Sequence, residues 1–194
     1  DQMQGVHADL LTMAGQLSVP SAELAPAALT RIGALATMLD QATTRFRAGL
    51  DRGRTPARIN VERSLNQLDG YLASPLDTDP FATIAAPTQQ QDGWDGEAAW
   101  RAAMTDAVAA VLRPAFARYR AVLADDLLPV ARDDEHPGLH WLEDGPDLYR
   151  TLIRLHTGLD LTAEELHEIG RHEVLAVLPA QFRARDVQPV GRLD

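Results

Sequence analysis

LTRIGALATMLDQATTRFRAGL, residues 29–50, decides the fold class. Its apolar positions fall at Leu29, Ile32, Ala36, Leu39, Thr43, Phe46 and Leu50, an alternating step of three and four over three heptads. That spacing places one continuous stripe on a helix and rules out the alternation of a strand. Asp51-Arg52-Gly53 follows, with Gly53 suited to the left-handed conformation that closes helices.

Working outward, Val6 to Leu17 reads as an amphipathic helix ended by Ser18-Val19-Pro20. On the other side, Thr55-Pro56 predicts a new helix, with Thr as cap and Pro at the first helical position. Val61, Leu65, Leu68 and Leu72 mark its buried side, and it pairs with the 29–50 helix as an antiparallel hairpin. Pro75, Pro80, Pro87, Gln89-Gln90-Gln91 and Gly93 then predict a long loop near 74–96, roughly twenty residues of the kind that is often functional.

Helical periodicity returns from Glu97 to Arg132 through Trp100, Met104, Val108, Val111, Tyr119, Val122 and Leu127. Pro114 inside it should kink or split the helix. Asp133 to Gly145 is a second loop, Pro146 opens a helix with Leu148, Leu152 and Leu155 on one face, and Thr157 to Asp160 breaks it. Thr162-x-x-Glu165 is a capping box and Leu161 with Leu166 a hydrophobic staple, so the last helix starts at Thr162 and bends or ends near Pro179. The expected architecture is all-α, about five to seven helices including antiparallel hairpins, in a single helical region spanning 1–194. No internal repeat is visible.

A formal charge of −10 and a pI near 5.0 oppose nucleic-acid binding, which needs a basic face. All basic side chains are Arg, so Schiff-base and P-loop lysines are excluded. Without Cys there is no disulfide, thiolate nucleophile or Cys-type zinc site. No apolar run approaches the ~20 residues of a membrane span. The expected protein is soluble, cytoplasmic or exported after removal of a signal. The start at Asp1 without Met and the loop-like QPVGRLD ending are read as possible cuts.

The chemistry candidates crowd one segment. Residues 161–177, LTAEELHEIGRHEVLAV, carry His167-Glu168 and His172-Glu173. A zincin helix needs H-E-x-x-H, whose histidines lie about 40° apart around the helix axis. His167 and His172 are five residues apart, which places them roughly 140° apart. One helix cannot aim both at one ion. Glu164-x-x-His167 matches half of a di-iron carboxylate pair, but no second such pair exists, so a solvated face is the better account. Glu168 and His172 suit a surface pair.

His136, His140 and Glu135 share a loop with Trp141 and read as solvated groups in preference to metal ligands. His7, one turn before Leu11, reads as a partly buried polar residue. Asp125-Asp126 and Asp133-Asp134 carry no signal that sets them across a cleft. No catalytic, cofactor-binding or metal residue is assigned within this chain.

Several segments in order resemble one bacterial family, domain of unknown function 885. DQMQGVHADL looks like its N-terminal Gln-Met-x-Gly stretch, and Gly49-Leu50-x-Arg52-Gly53-x-Thr55-Pro56 like its hairpin turn, followed by Val61 and Gln67-Leu68-Asp69. LYRTLIRLHTGLDLTAEELHEIGRHEV, residues 148–174, is similar to its Tyr-x-x-Leu, His-Thr-x-x-x-Leu-Thr-x-Glu-Glu-x-His and Gly-x-x-Glu-Val pattern.

The resemblance implies a helical zinc-peptidase-like protein, related in architecture to angiotensin-converting enzyme and the helical metallocarboxypeptidases. In such proteins a metal-bound water attacks a peptide carbonyl. The family's metal motif, His-Glu-x-x-Pro-Gly-His-His, is absent from this sequence. The resemblance therefore implies an N-terminal, channel-lining portion that is catalytically silent alone, with zinc expected only in the full-length parent. Its partner would be the remaining part of the same protein, or a second copy, and the parent would take a peptide substrate. The alternative is a stand-alone helical binding domain that holds a partner with its stripes and the 74–96 loop.

Overall fold

The computed structural model describes residues 3–84 and 94–184, with side chains through residue 175. The protein is all-α. No strand forms among the described residues, and the one extended pairing is an isolated parallel bridge between Ala57 and Arg132. The chain divides into two compact units, Asp1–Gly138 and Leu139–Asp194.

The first unit contains α1 (Val6–Ala14), α2 (Ala25–Leu50), α3 (Arg58–Ala73), α4 (Glu97–Ala107) and α5 (Arg113–Val122). The stripe of the opening segment is realised on α2, where Ile32, Leu35, Ala36, Leu39, Ala42 and Thr43 are buried and Leu29, Phe46 and Leu50 pack at its margin. Gly53 takes φ 71°, the left-handed turn expected of it. Helix α1 is shorter than its pattern, ending at Ala14 before Gly15 instead of running to Leu17.

The start of α3 also differs from expectation. Thr55 and Pro56 lie outside the helix, whose flanking residue is Ala57. Pro56 has instead entered the bridge: its carbonyl accepts from the Arg132 amide at 2.8 Å, and the Arg58 amide donates to the Arg132 carbonyl at 2.7 Å. The Arg132 guanidinium adds bonds to the carbonyls of Thr55, His136 and Pro137. Five carbonyl and amide groups of two loops are satisfied around one residue, which buried or half-buried backbone requires.

Helix α5 packs against both α2 and α3, while α2 and α3 make little direct contact. The pair read as a hairpin is thus opened by a third helix. Local turn chemistry reports that the chain reverses, but not what enters between the arms.

The long helical run from Glu97 is interrupted, as Pro114 requires, by a π-helical turn at Val108–Leu112. Proline lacks the N–H for its carbonyl four residues back and its ring collides with that carbonyl. An i→i+5 turn moves the carbonyl aside. The same turn solves a register problem: the buried residues Trp100, Met104, Val108, Leu112 and Phe116 recur every fourth position. On a pure α-helix four such steps drift about 160°. The wider turn keeps them in line and leaves Val111 exposed. A second π turn, Leu123–Leu127, and a 3₁₀ turn, Leu128–Val130, finish the run.

The expected loop after Ser74 is in part folded. Leu76–Thr78 forms a 3₁₀ turn, and Asp79, Phe81 and Ile84 are buried. Phe81 joins Tyr71 and Phe116 in an aromatic cluster, with ring centroids of the last two 4.6 Å apart. Residues 85–93 lie outside the described residues, as does the C-terminal QPVGRLD.

The second unit has a 3₁₀ turn at Leu139–Trp141, then α6 (Gly145–Thr157) and α7 (Ala163–Ala184). Pro146 occupies the first turn of α6 and Gly158, at φ 73°, closes it. The capping box forms as read: the Thr162 amide donates to Glu165 Oε2 at 2.9 Å, and the Glu165 amide to Thr162 Oγ1 at 3.1 Å. Helix α7 runs through Pro179 to Ala184, so that proline does not end it. On α6 the buried residues are Gly145 and Ile153, whereas Leu155, read as part of the buried face, is 72% exposed.

Candidate functional site

His167 and His172 are carried on the continuous helix α7, both exposed, and the five-residue step keeps them on different faces. Glu168 between them is engaged by Arg171, whose Nη2 and Nε donate at 2.7 and 3.0 Å. Glu164 is exposed on the first turn, where a carboxylate meets the positive end of the helix dipole. The segment has the charge pattern of a solvated helix face.

The 133–141 residues are likewise dispersed. His136 Nδ1 lies 2.6 Å from Asp133 Oδ1, and this bond holds the Asp133 carboxyl below its ordinary value. His140 stacks edge-on against Trp141 at 5.3 Å. Glu135 and Asp134 are exposed. Asp126 pairs with Arg47 at 2.7 Å, and with Asp125, Asp40, Thr43 and Arg118 it lines a shallow groove between α2 and the α5 run. Arg118 meets Asp40 in a two-pronged pair, so the groove's opposite charges largely satisfy each other.

Among the described residues no group of three or more His, Asp or Glu is placed to hold a metal ion. The described donors do not fit the zinc that the resemblance places in the full-length parent.

Two buried polar networks lie in the first unit, and neither has a local sequence signal. In the first, fully buried Asp79 accepts the Phe81 amide on Oδ1 at 2.9 Å and Arg113 Nε on Oδ2 at 2.8 Å. Arg113 Nη2 also donates to the carbonyl and hydroxyl of Ser74, and its guanidinium lies 5.4 Å over the Tyr71 ring. Desolvation, reinforced by the Asp79 charge, pushes the Tyr71 phenol far above its ordinary value. The network binds segment 74–84 to α5 and, with both carboxylate oxygens bonded and the side chain closed to solvent, offers structure more readily than catalysis.

In the second network, His7 is fully buried and not partly so. It stands between Gln67 of α3 and Tyr119 of α5. The signal for it is a pairing across 112 residues, invisible to any windowed reading.

Compared with known proteins, residues 1–185 match the profile of a family described as bacterial protein of unknown function (DUF885). No curated protein and no solved structure matches the chain significantly.

Proposed function

We propose, from the premise that this chain belongs to the family of bacterial proteins of unknown function DUF885, that it is the N-terminal helical portion of a peptidase-like hydrolase. In this reading its helices form one wall of a substrate channel, and the metal, general base and oxyanion stabilisers come from further polypeptide of the same protein. Residues 1–194 then belong to a larger helical domain.

The observation that carries the reading is the apolar surface of the second unit. Tyr149, Leu155 and Leu159 on and after α6, and Ile169, Val174 and Leu175 on α7, are all exposed, Leu155 at 72% and Leu175 at 60%. Single exposed leucines need no explanation, but five large apolar side chains on two consecutive helices and a sixth between them favour a surface made to be covered. The alternative, a stand-alone binding module, expects buried stripes, and those of α2, α3 and α5 are buried in the first unit's core; the open apolar residues of the second unit are what favour the first reading.

The test is direct. The purified chain, given zinc and a panel of peptides, is expected to release no product. Added polypeptide from the remainder of the parent protein should bind it and lower its tendency to self-associate, read by light scattering. Robust zinc-dependent hydrolysis by the chain alone overturns the reading, and so does a monodisperse chain indifferent to that polypeptide.

A further inference from the structure

His7 lies on the first turn of α1, and its ring reaches two other helices. Nε2 is 3.0 Å from Gln67 Oε1, and Nδ1 is 3.4 Å from the Tyr119 hydroxyl. An amide oxygen only accepts, so Nε2 carries the hydrogen; in the neutral ring Nδ1 is then an acceptor and the Tyr119 hydroxyl donates to it. The rings of His7 and Tyr119 are 5.6 Å apart, and Phe46 of α2 packs against Tyr119 at 5.7 Å. Helix α1 itself is nine residues long. A helix that short is marginal without tertiary partners. Its further buried anchors are Leu10 and Ala14.

We propose that His7 is a neutral-imidazole latch: uncharged, it fastens α1 to α3 and α5, and its protonation releases α1 from the bundle. The surroundings favour the neutral ring. From α3 it is faced by the uncharged amide of Gln67, and from α5 by the Tyr119 phenol, whose own ionisation burial pushes up to about 12. Burial removes water from an imidazolium and is the largest influence, lowering His7 below its ordinary 6.5. The Gln67 bond and the charge of exposed Asp9 act the other way.

The direction follows by linkage. Above pH 6.5 the ring is neutral whether α1 is docked or released, and the latch has its full strength. As pH falls below that value the released state takes up a proton that the docked state does not, so docking weakens until the lowered value is passed. Each unit between the two values is a tenfold change in the docking equilibrium.

The experiment is imidazole NMR combined with amide hydrogen exchange on the whole chain, from about pH 8 to about pH 4.5, where histidine charges. The expected result is an Nε2-protonated neutral ring at the upper end. Protection of α1 relative to α2 and α5 then falls over the range in which the ring charges, by about tenfold per unit of pKa depression. Asp9→Asn removes a charge that favours the imidazolium, so it should lower the titration of the docked ring and deepen the loss of α1 protection reached below pH 6.5. Protonation of His7 with α1 protection intact overturns the proposal, as does α1 release with the ring still neutral, or an Asp9→Asn chain whose docked ring titrates lower while its α1 protection falls no further than in the unchanged chain.

Discussion

The unit ending at Gly138 and the unit beginning at Leu139 use the same helical chemistry and differ in where their large apolar side chains end. In the first, Phe81, Phe116, Tyr119, Leu39, Leu68 and Met104 are fully enclosed, and buried polar groups such as Asp79 and His7 have partners. In the second, Leu142 and Ile153 are the buried large apolar residues among the described ones, while Leu155, Leu159, Ile169, Val174 and Leu175 face outward. A core closes when facing elements supply complementary stripes; two helices present theirs but cannot enclose them. The contrast teaches that helix formation and core formation are separate events in this chain. The first needs caps and periodicity, the second needs a third and fourth element.

The sharpest way to break the contrast is to make a like substitution in both units. Phe116→Ala removes a ring packed between Tyr71 and Phe81 and should cost about 3–5 kcal/mol, read by urea unfolding. A loss under about 1 kcal/mol would mean the first unit is not closed as described. Asp79→Ala comes next, at about 3 kcal/mol, since it strands the mostly buried Arg113 cation. The double change Asp79→Ala with Arg113→Met should recover much of that, and failure to recover would place the cost in the lost Phe81 amide bond instead.

In the second unit the effects shrink. Thr162→Ala removes half of the capping box and should cost α7 about 1 kcal/mol, seen as faster exchange of its first-turn amides with the first unit unchanged. Leu155→Gln, on the exposed side of α6, should change stability by no more than about 0.5 kcal/mol and reduce self-association of the isolated chain. A large destabilisation there would show that Leu155 is already enclosed.

Much of this was legible along the chain because it is local. The α2 stripe, the Gly53 and Gly158 turns, Pro146 at the head of α6 and the Thr162–Glu165 box each depend on residues within one or two turns of one another. The π turn had a trace too, in the uniform four-residue spacing from Trp100 to Phe116, but that spacing reads as an ordinary helix unless its angular drift is added up. The helix announced by Thr55-Pro56 forms, but neither residue caps it, because Arg132, more than seventy positions away, recruits that segment into a bridge. Pro179 was read as a bend or an end, and the helix continues past it to Ala184.

For the site, the readable part was a mismatch: His167 and His172 could be separated by counting alone, and the structure leaves both exposed on α7. What counting could not reach were the two buried polar networks. Asp79 with Arg113 and His7 with Tyr119 join residues 34 and 112 positions apart. Taken singly, His7, Arg113 and Tyr119 look like ordinary polar or charged residues of amphipathic helices, and Asp79 like an ordinary loop carboxylate.

By itself the sequence determined that this chain is helical, where most helices turn, and which family it belongs to. Backbone propensity, capping and hydrophobic period act over a few residues and survive without knowledge of neighbours. Only the tertiary structure decided that α5 packs on both α2 and α3, that His7 is enclosed, and that Leu155 on α6 and Ile169, Val174 and Leu175 on α7 lie open. Burial is a property of what surrounds a side chain, and that depends on elements brought together across the whole fold.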